Sequence, residues 1–357
     1  MNETAPRILV LAPNWLGDVA MCTPALRALR RRFPDASIAV AGKAAACDLL
    51  EGLPWIVERI PFDPRAGFLA MMRMGRRVHP YARDLTVVFP HSFRAALLAR
   101  LAESPRRIGY DRGGRGFLLT DRVAPNRENG VIVPVYMATE YLDLIEGLGC
   151  EDDGRGLELR ADPVTVEDAR SRFKSDGLRV GIAPGAAFGP SKLWPVERFA
   201  RAADILAERM QAECALLTGP GEEALRESFL KAVRTPVVQC DEGRPSIQML
   251  KATISQLDLL MCNDSGARHV AVAFHVPTVC IMGPTSPRYS EGPYERGRVL
   301  RMDVDCGPCQ KPECETDFRC MTRITVDWVA ETALELLQEI QSRRGGMDKP
   351  GLAGPGS

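Results

Sequence analysis

The chain has 357 residues, 45% of them hydrophobic and 26% charged, a composition typical of a globular protein with two domains. The sequence excludes a membrane-spanning protein, since no apolar run approaches the ~18 residues that a transmembrane helix needs. The apolar stretch at residues 8–12 is too short for the core of a signal peptide, so we expect a cytoplasmic location.

The formal net charge of zero conceals an uneven distribution of charge along the chain. Residues 65–127 contain 13 arginines, no lysine and four acidic residues, which gives this stretch a charge of +9. A solvated surface is the simplest interpretation, but so one-sided a stretch favours an anionic partner. Charge alone leaves nucleic acid, anionic lipid and a phosphorylated glycolipid open. No regular interleaving of aromatic and basic residues accompanies the stretch, which argues against nucleic acid.

The first half of the chain alternates short apolar runs, which predict buried strands, with segments of helical spacing. In the segment at 22–33, either Thr23 caps a helix with Pro24 at its first position, or Pro24 kinks a longer helix. In chain order the predicted elements are strands at 7–12, 37–41 and 85–89 and helices at 22–33, 94–101 and 137–148.

The same pattern restarts after a polar stretch at residues 151–163, which suggests a domain boundary. Two alternations of strands and helices predict an α/β protein with two doubly wound parallel-sheet domains, at 1–165 and 166–343. The Gly- and Pro-rich end, 344–357, is predicted to be a disordered tail. The second half contains strands at 179–183, 214–218, 259–262 and 277–282 and helices at 195–210, 222–233, 266–274 and 326–343.

Ligands of such folds bind beyond the carboxyl ends of the strands, so the loops there should carry the chemistry. The loop after the first strand carries Asn14, Gly17 and Asp18 at the entrance to a helix. It lacks the glycine-rich fingerprint of a dinucleotide-binding domain. Asp18 can simply cap the helix, which is the commoner role of Asp at such a position. Alternatively, its carboxylate projects into the cleft between the domains as a general base.

Three loops of the second domain resemble parts of a nucleotide site. The glycine-containing loop after 179–183 leads through Ser191 and Lys192 to a helix that begins with proline, an arrangement suited to phosphate. Glu222 follows another strand and can accept hydrogen bonds from ribose hydroxyls. The third loop and the first turn of its helix contain Asp264, Ser265, Gly266 and His269, and the histidine is either a core residue or a ligand.

These motifs, in this order, resemble those of the ADP-heptose:lipopolysaccharide heptosyltransferases, glycosyltransferase family 9. The resemblance covers about residues 7–342, and within the family the chain is most similar to the heptosyltransferase II type. It implies a GT-B fold, in which two Rossmann-like domains face a cleft, with the acceptor on the N-terminal domain and the nucleotide sugar on the C-terminal one. It rests on the segments 14–18, 23–26, 184–195, 263–269 and 283–287, and the type II likeness rests on 90–97 and 184–190.

The resemblance implies an inverting transferase that moves heptose from ADP-heptose onto the heptose of the lipopolysaccharide inner core, with Asp18 as general base. Neither a cofactor nor a metal is expected, because Lys192 and helix N-termini would hold the donor diphosphate. The implied donor site consists of Ser191, Lys192, Glu222, Asp264, Ser265, Gly266 and His269. The implied acceptor site consists of Asn14, Gly17, His91 and Arg94.

The resemblance also gives the arginine-rich stretch a partner, the phosphorylated core of a lipopolysaccharide precursor. It implies peripheral contact with the cytoplasmic leaflet of the inner membrane, where that precursor lies, and no nucleic acid. Two other functions stay open: a transferase of the same family with another acceptor or core position, and a nucleotide-sugar-binding protein without turnover. The presence of both Asp18 and Lys192 argues against the second.

Two further patterns do not belong to these loops. The acidic pair Asp303 and Asp305 matches the D-x-D of metal-dependent glycosyltransferases, but so short a pattern is expected by chance. A cluster of four cysteines permits a tetrahedral zinc site, although free thiols or a labile disulfide are the simpler alternatives. The four are Cys306, Cys309, Cys314 and Cys320.

Overall fold

Two six-stranded parallel sheets, flanked by helices, form the framework of the chain. The computed structural model describes residues 5–240 and 244–347, with side chains up to residue 342. The prediction of an α/β protein with two doubly wound parallel sheets is confirmed. The predicted domain limits at 165 and 343 remain predictions.

The first sheet takes its six strands from residues before 124. Its strands are β1 (Arg7–Leu11), β2 (Ser37–Gly42), β3 (Ile56–Pro61), β4 (Leu85–Val88), β5 (Arg107–Tyr110) and β6 (Asp121–Val123), followed by a small hairpin of β7 (Arg127–Glu128) and β8 (Val131–Ile132). The helices are α1 (Leu16–Met21), α2 (Thr23–Arg32), α3 (Ala44–Leu49), α4 (Phe68–Val78), α5 (Phe93–Leu101) and α6 (Met137–Glu146).

The second sheet repeats this arrangement. It begins after α7 (Pro163–Ser171) and contains β9 (Arg179–Ala183), β10 (Glu213–Leu216), β11 (Val237–Val238), β12 (Leu259–Asn263), β13 (Thr278–Met282) and β14 (Gly297–Arg301). Its helices are α8 (Val196–Met210), α9 (Glu223–Ala232), α10 (Ile247–Ile254), α11 (Gly266–Ala273), α12 (Pro287–Ser290), α13 (Arg319–Thr322) and α14 (Val326–Met347). What remains of the predicted tail after Met347 lies outside the described residues.

The strand order is the same in both sheets, β3-β2-β1-β4-β5-β6 in the first and β11-β10-β9-β12-β13-β14 in the second. The order therefore reverses beside β1 and beside β9, which are fully hydrogen-bonded central strands. In folds of this kind the ligand site lies outside the carboxyl ends of the strands at such a reversal. Asp18 lies in the helix that follows β1, and Lys192 lies in the loop that follows β9.

The segment predicted as one helix at 22–33 contains a break. Helix α1 ends at Met21 and α2 begins at Thr23, with Cys22 between them. Of the two alternatives, the Thr23 cap is not observed, because Thr23 is the first residue of α2 and its side chain donates to the Ala20 carbonyl at 2.7 Å. Pro24 lacks the N–H that would otherwise reach this carbonyl one turn back. Proline thus interrupts the helical hydrogen bonds, as the kinked-helix alternative expects.

The two domains meet through helices at the carboxyl ends of both sheets. Helix α1 of the first domain packs against α11 of the second, and α3 packs against α10. Lys251 of α10 is fully buried, and its ammonium donates to the carbonyls of Asp48 at 3.1 Å and Glu51 at 3.0 Å, at the C-terminus of α3. These contacts bring the loop after β1 opposite the loops after β9 and β12.

Candidate active site

Asp18 lies in α1, just beyond the carboxyl end of β1, and is half-buried. The predicted capping role is wrong, because α1 begins at Leu16 and no side chain caps it. Burial, helped by the charge of the nearby Glu140 carboxylate and opposed by Lys192, raises the pKa of Asp18 to about 7. A carboxylate with this pKa is about half deprotonated at neutral pH, which suits a general base.

Glu140 is a second carboxylate near Asp18, and sequence reasoning misses it. It lies on α6 and is 9% exposed. Oε1 of Glu140 is 2.9 Å from Nε2 of His91, a close contact without the angle of a hydrogen bond. Nη1 of Arg112 lies 3.2 Å from Nδ1 of the same imidazole and 3.8 Å from Oε1 of Glu140. His91, a predicted acceptor ligand, thus lies with Arg112 against a carboxylate that acts on Asp18.

Lys192 faces Asp18 from the second domain. Its ammonium donates to Oδ2 of Asp264 at 2.6 Å and to the Asp264 backbone carbonyl at 3.0 Å. It also lies 5.1 Å from the centre of the Phe188 ring. The pKa of Asp18 responds to this ammonium and to the Asp264 carboxylate, so both loops of the second domain act electrostatically on Asp18. The structure therefore brings these three predicted residues to one place.

Asp264 is buried at the centre of a hydrogen-bonded charge network. Besides Lys192, it accepts hydrogen bonds from Thr285 at 2.7 Å and from Arg268 at 3.1 Å. Burial alone would raise the pKa of Asp264, but Lys192 and Arg268 hold it well below its usual value. Arg268 is fully buried and donates to both carboxylate oxygens of Glu295, at 2.7 and 2.6 Å. Because each buried charge has a partner, the network fixes the shape of the loop after β12.

The first turn of α11 contacts the first domain directly. A Cβ at Gly266 would lie 2.9 Å from Cβ of Leu16, so glycine permits the close packing of α1 and α11. His269, buried against Gly17, has its pKa lowered to about 4, first by burial and then by the charge of Arg268. It is therefore neutral at pH 7. Ser265 precedes the helix, but its side chain makes no capping hydrogen bond.

Glu222 connects two loops at the carboxyl ends of β9 and β10. Its Oε2 accepts a hydrogen bond from the Gly219 amide at 2.7 Å. A Cβ at Gly185 would collide with the same carboxylate, so glycine at 185 allows Glu222 to hold this position. Glu222 is consequently placed beside the glycine-containing loop after β9, on the same edge of the sheet as Lys192. A carboxylate here can accept hydrogen bonds from the hydroxyls of a nucleotide ribose.

Residues 71–318, more than half of the chain, match the family model described as glycosyltransferase family 9 (heptosyltransferase). The chain belongs to glycosyltransferase family 9. It is 27% identical to lipopolysaccharide heptosyltransferase 2 of Salmonella typhimurium over 353 residues, which are 95% of this chain and 99% of that protein. The predicted family is therefore confirmed, and the chain is a glycosyltransferase.

Solved structures of family 9 proteins have the same two-domain fold. The E. coli ADP-heptose LPS heptosyltransferase II has a TM-score of 0.76 and 26% identity, over 94% of this chain and 99% of that one. A family 9 glycosyltransferase of Veillonella parvula has a TM-score of 0.80 and 24% identity, over 95% and 99% of the two chains. These likenesses confirm the GT-B fold, in which two Rossmann-like domains face a cleft.

Ser191 of this family 9 enzyme is occupied by structural hydrogen bonds. Its hydroxyl donates to the Lys311 carbonyl at 2.6 Å, and its amide donates to the Pro312 carbonyl at 3.0 Å. It therefore holds the loop that contains Cys306, Cys309 and Cys314 against the loop after β9. These three cysteines and Cys320 of α13 are free thiols. Within 5–240 and 244–347, no three His, Cys, Asp or Glu side chains are grouped so that they could hold a metal ion, which gives the zinc alternative no support.

Asn14 and Arg94 lie apart from His91, in a mostly apolar cavity of about 310 Å³. Arg94 donates from Nε to the Pro64 carbonyl at 2.9 Å and from Nη2 to the Ala66 carbonyl. The cavity opens beside the carboxyl ends of β1, β3 and β4, because Leu11, Pro61 and Pro90 contribute to its wall. The predicted acceptor residues therefore divide between this cavity and the cleft around Asp18.

Two remaining expectations concern the periphery of the enzyme. The side chains of Asp303 and Asp305 are 97% and 100% exposed, as expected of a D-x-D match that arises by chance. In the part of the chain that the structure describes, no helix has both the length and the apolar character needed to cross a membrane.

Proposed function

We propose that this family 9 enzyme transfers L-glycero-D-manno-heptose from ADP-heptose onto the heptose of the lipopolysaccharide inner core, as a heptosyltransferase II, with inversion. The observation that carries the proposal is the Asp18 carboxylate. Its pKa is about 7, and it stands opposite the ammonium of Lys192 in the second domain. A base on one side of the cleft can take the proton of the acceptor hydroxyl. A cation on the other side can stabilise the negative charge that develops on the leaving diphosphate. The names of the relatives supply the sugar and the acceptor class.

Asp18 acts as the general base. Its carboxylate takes the proton from an acceptor hydroxyl, the hydroxyl oxygen bonds to the anomeric carbon of the heptose, and the bond from that carbon to the diphosphate oxygen breaks. A single displacement of this kind inverts the anomeric centre. Partial burial supports the role, since it raises the pKa of Asp18 to about 7 while the residue stays partly exposed.

Lys192 and the N-terminus of α11 stabilise the leaving diphosphate. Lys192 is held by Asp264, and that carboxylate is also bonded to Thr285 and Arg268, so the ammonium is preorganised. The amide groups at the start of α11 add partial positive charge. Together they supply the positive charge for a mechanism without a metal ion. Glu222 binds the ribose hydroxyls beside Gly185.

The acceptor lies in the first domain, between Asp18 and the cavity that contains Asn14 and Arg94. Its phosphates are met by the arginine-rich stretch at 65–127, which carries 13 arginines. The enzyme is cytoplasmic and binds the inner membrane peripherally, because its acceptor is a lipid of that membrane. It needs no cofactor and no nucleic acid.

The test is heptose transfer from ADP-heptose to a mono-heptosylated, Kdo-bearing lipid A, in the presence of EDTA. We expect product from the wild-type enzyme and a loss of roughly 10²- to 10⁴-fold in kcat for Asp18→Asn, with ADP-heptose binding retained. Asp35→Asn, at an exposed position of the same domain, is the matched control and should leave the rate unchanged. Abolition of transfer by EDTA would remove the metal-free part of the proposal.

Two outcomes would favour the alternatives. Binding of ADP-heptose without transfer to this acceptor, but with transfer to another core oligosaccharide, would indicate a family 9 transferase of different acceptor specificity. Binding of ADP-heptose that Asp18→Asn leaves unchanged, with no transfer to any core acceptor, would indicate a nucleotide-sugar-binding protein. Absence of ADP-heptose binding would exclude the proposed donor.

A further inference from the structure

Four large apolar side chains are exposed in the arginine-rich part of the first domain. Phe68 is 60% exposed, Leu69 72%, Phe93 45% and Phe117 68%. A single exposed apolar residue needs no explanation, but a group of phenylalanines at one surface marks an interaction site. We name these four residues the apolar surface.

Contacts among three chain segments bring the apolar surface together. The rings of Phe93 and Phe117 are 6.0 Å apart between centroids. Arg94, the neighbour of Phe93, hydrogen-bonds the Pro64 and Ala66 carbonyls and so fixes the loop that leads directly into α4. Phe68 and Leu69 are the first two residues of that helix. The segments 64–69, 93–94 and 117 therefore belong to one side of the domain.

Exposed cations accompany this surface. Arg65 precedes α4, and Arg73, Arg76 and Arg77 are exposed along it, while its other face buries Met71 and Met74. Residues 65–127 carry a charge of +9. Arginines around exposed phenylalanines fit a bilayer surface with anionic headgroups, because the charges bind the headgroups and the rings enter the apolar boundary below them.

The cavity of about 310 Å³ relates the apolar surface to the catalytic cleft. Its wall includes Ala66 and Ala70, on either side of Phe68 and Leu69, and also Asn14 in the loop that leads to Asp18. Ser92, between His91 and Phe93, lines it as well. The apolar surface and Asp18 thus lie at the same edge of the first sheet. A lipid acceptor held in a bilayer at this surface is therefore close to Asp18.

We propose that Phe68, Leu69, Phe93 and Phe117, with the surrounding arginines, dock this enzyme on an anionic lipid bilayer. The inference rests on the proposed function, since a glycolipid acceptor is presented by such a bilayer. It adds the part of the molecule that meets the bilayer and the two kinds of contact that hold it there.

The experiment is sedimentation of the full chain with vesicles of phosphatidylcholine containing phosphatidylglycerol, and with vesicles of phosphatidylcholine alone. We expect binding to the anionic vesicles that weakens with added salt. Phe68→Ser with Phe117→Ser should lower the partition coefficient about tenfold or more. Arg65→Gln with Arg73→Gln should lower it about tenfold and reduce its dependence on salt. Val164→Ser with Arg201→Gln, an exposed pair outside this surface, is the matched control and should bind as the wild type does.

A second measurement separates this inference from the proposed function. The phenylalanine variant and the matched control are assayed for transfer to a deacylated, water-soluble acceptor, where we expect wild-type rates and hence a folded active site. Transfer that persists in the wild type and the phenylalanine variant while vesicle binding is absent, or is equal in all variants, would overturn the docking surface and leave the proposed function intact. Vesicle binding that depends on the apolar surface, without transfer to any acceptor, would support the docking surface and overturn the proposed function. Loss of a dimer in the phenylalanine variants, with no vesicle binding by the wild type, would assign the surface to a second copy and overturn the proposal.

Discussion

Gly17 of α1 packs directly against the imidazole of His269 in α11, so closely that a Cβ at position 17 would lie 2.7 Å from Cδ2 of that ring. The two residues belong to different domains and stand next to the proposed base and the proposed donor loop. Their contact sets the distance between the two halves of the active site. Gly17, whose role as an acceptor ligand remains a prediction, therefore has a packing role that depends on its lack of a side chain.

Gly17→Ala should separate the domains slightly, because the buried His269 has little room to move away from an added methyl group. Overpacking of this kind costs about 1–3 kcal/mol of the free energy of unfolding. We expect a loss of that size in urea unfolding, together with slower heptose transfer. Gly147→Ala, where a Cβ meets no atom within 4 Å, should change neither quantity. A wild-type rate and stability for Gly17→Ala would show that the cleft tolerates this displacement.

Glu140→Gln should move the acidic limb of the pH profile of kcat/KM to lower pH. The Glu140 carboxylate raises the pKa of Asp18, so removing its charge lowers that pKa and leaves more base in acidic solution. The ratio of kcat/KM at pH 6 to kcat/KM at pH 8 should rise about threefold or more. Glu146→Gln, exposed on the same helix, is the control. An unshifted limb, whatever the absolute rate, would show that Glu140 does not tune the base.

The central strands and the loops after them could be predicted from the sequence, because strands buried on both faces form continuous apolar runs. The strand predicted at 179–183 has the observed bounds of β9. The edge strands could not be found in this way. In β3 only Ile56 and Ile60 are buried, and Glu58 and Arg59 interrupt the run. Strand β14 is likewise buried at Leu300 alone. An edge strand lacks the continuous apolar run on which such a prediction depends.

The candidate site was predictable where chemistry follows a strand directly, as at Asp18, Lys192 and Asp264. Glu140 and Arg268 were missed because each lies within a helix, away from any loop motif. A signal was present in both cases. Glu140 stands beside the buried Ala138 and Tyr141, and Arg268 lies within the buried part of α11. A charged residue on an otherwise apolar helix face requires a buried partner, which makes it a candidate for a site.

Asp18→Asn should stabilise the protein against unfolding at neutral and higher pH. The folded state raises the pKa of Asp18 from 3.8 to about 7, so its charged form is disfavoured in the folded protein above that pH. This shift corresponds to a cost of at most about 4 kcal/mol. The cost decreases as the pH falls from 7 to 4, where the carboxyl is protonated in both states. We therefore expect the stability difference between variant and wild type to be large in urea unfolding at pH 8 and absent at pH 3.5.

If the difference between Asp18→Asn and the wild type were the same at both pH values, the raised pKa would be wrong, and with it the main support for the base. Asp35→Asn provides the reference, because Asp35 is exposed and its substitution should have no pH-dependent effect of this kind. A stabilised but inactive Asp18→Asn would instead identify an active-site carboxylate that is retained for catalysis at the expense of stability.

Lys251 offers the matching test at the domain contact, where its ammonium lies against the last carbonyls of α3. Burial lowers the pKa of Lys251 from 10.5 to about 8, so the unfolded chain holds this proton more tightly than the folded one. Between these pH values the contribution of Lys251 to stability rises with pH.

Lys251→Met keeps the side-chain length and removes the titration. The free energy of unfolding of the wild type, relative to this variant, should increase by about 2 kcal/mol from pH 7 to pH 9.5. Lys231→Met, at an exposed site on α9, should show no such increase. A difference independent of pH would mean that the lysine remains charged throughout, and that the carbonyls of α3 compensate fully for its burial.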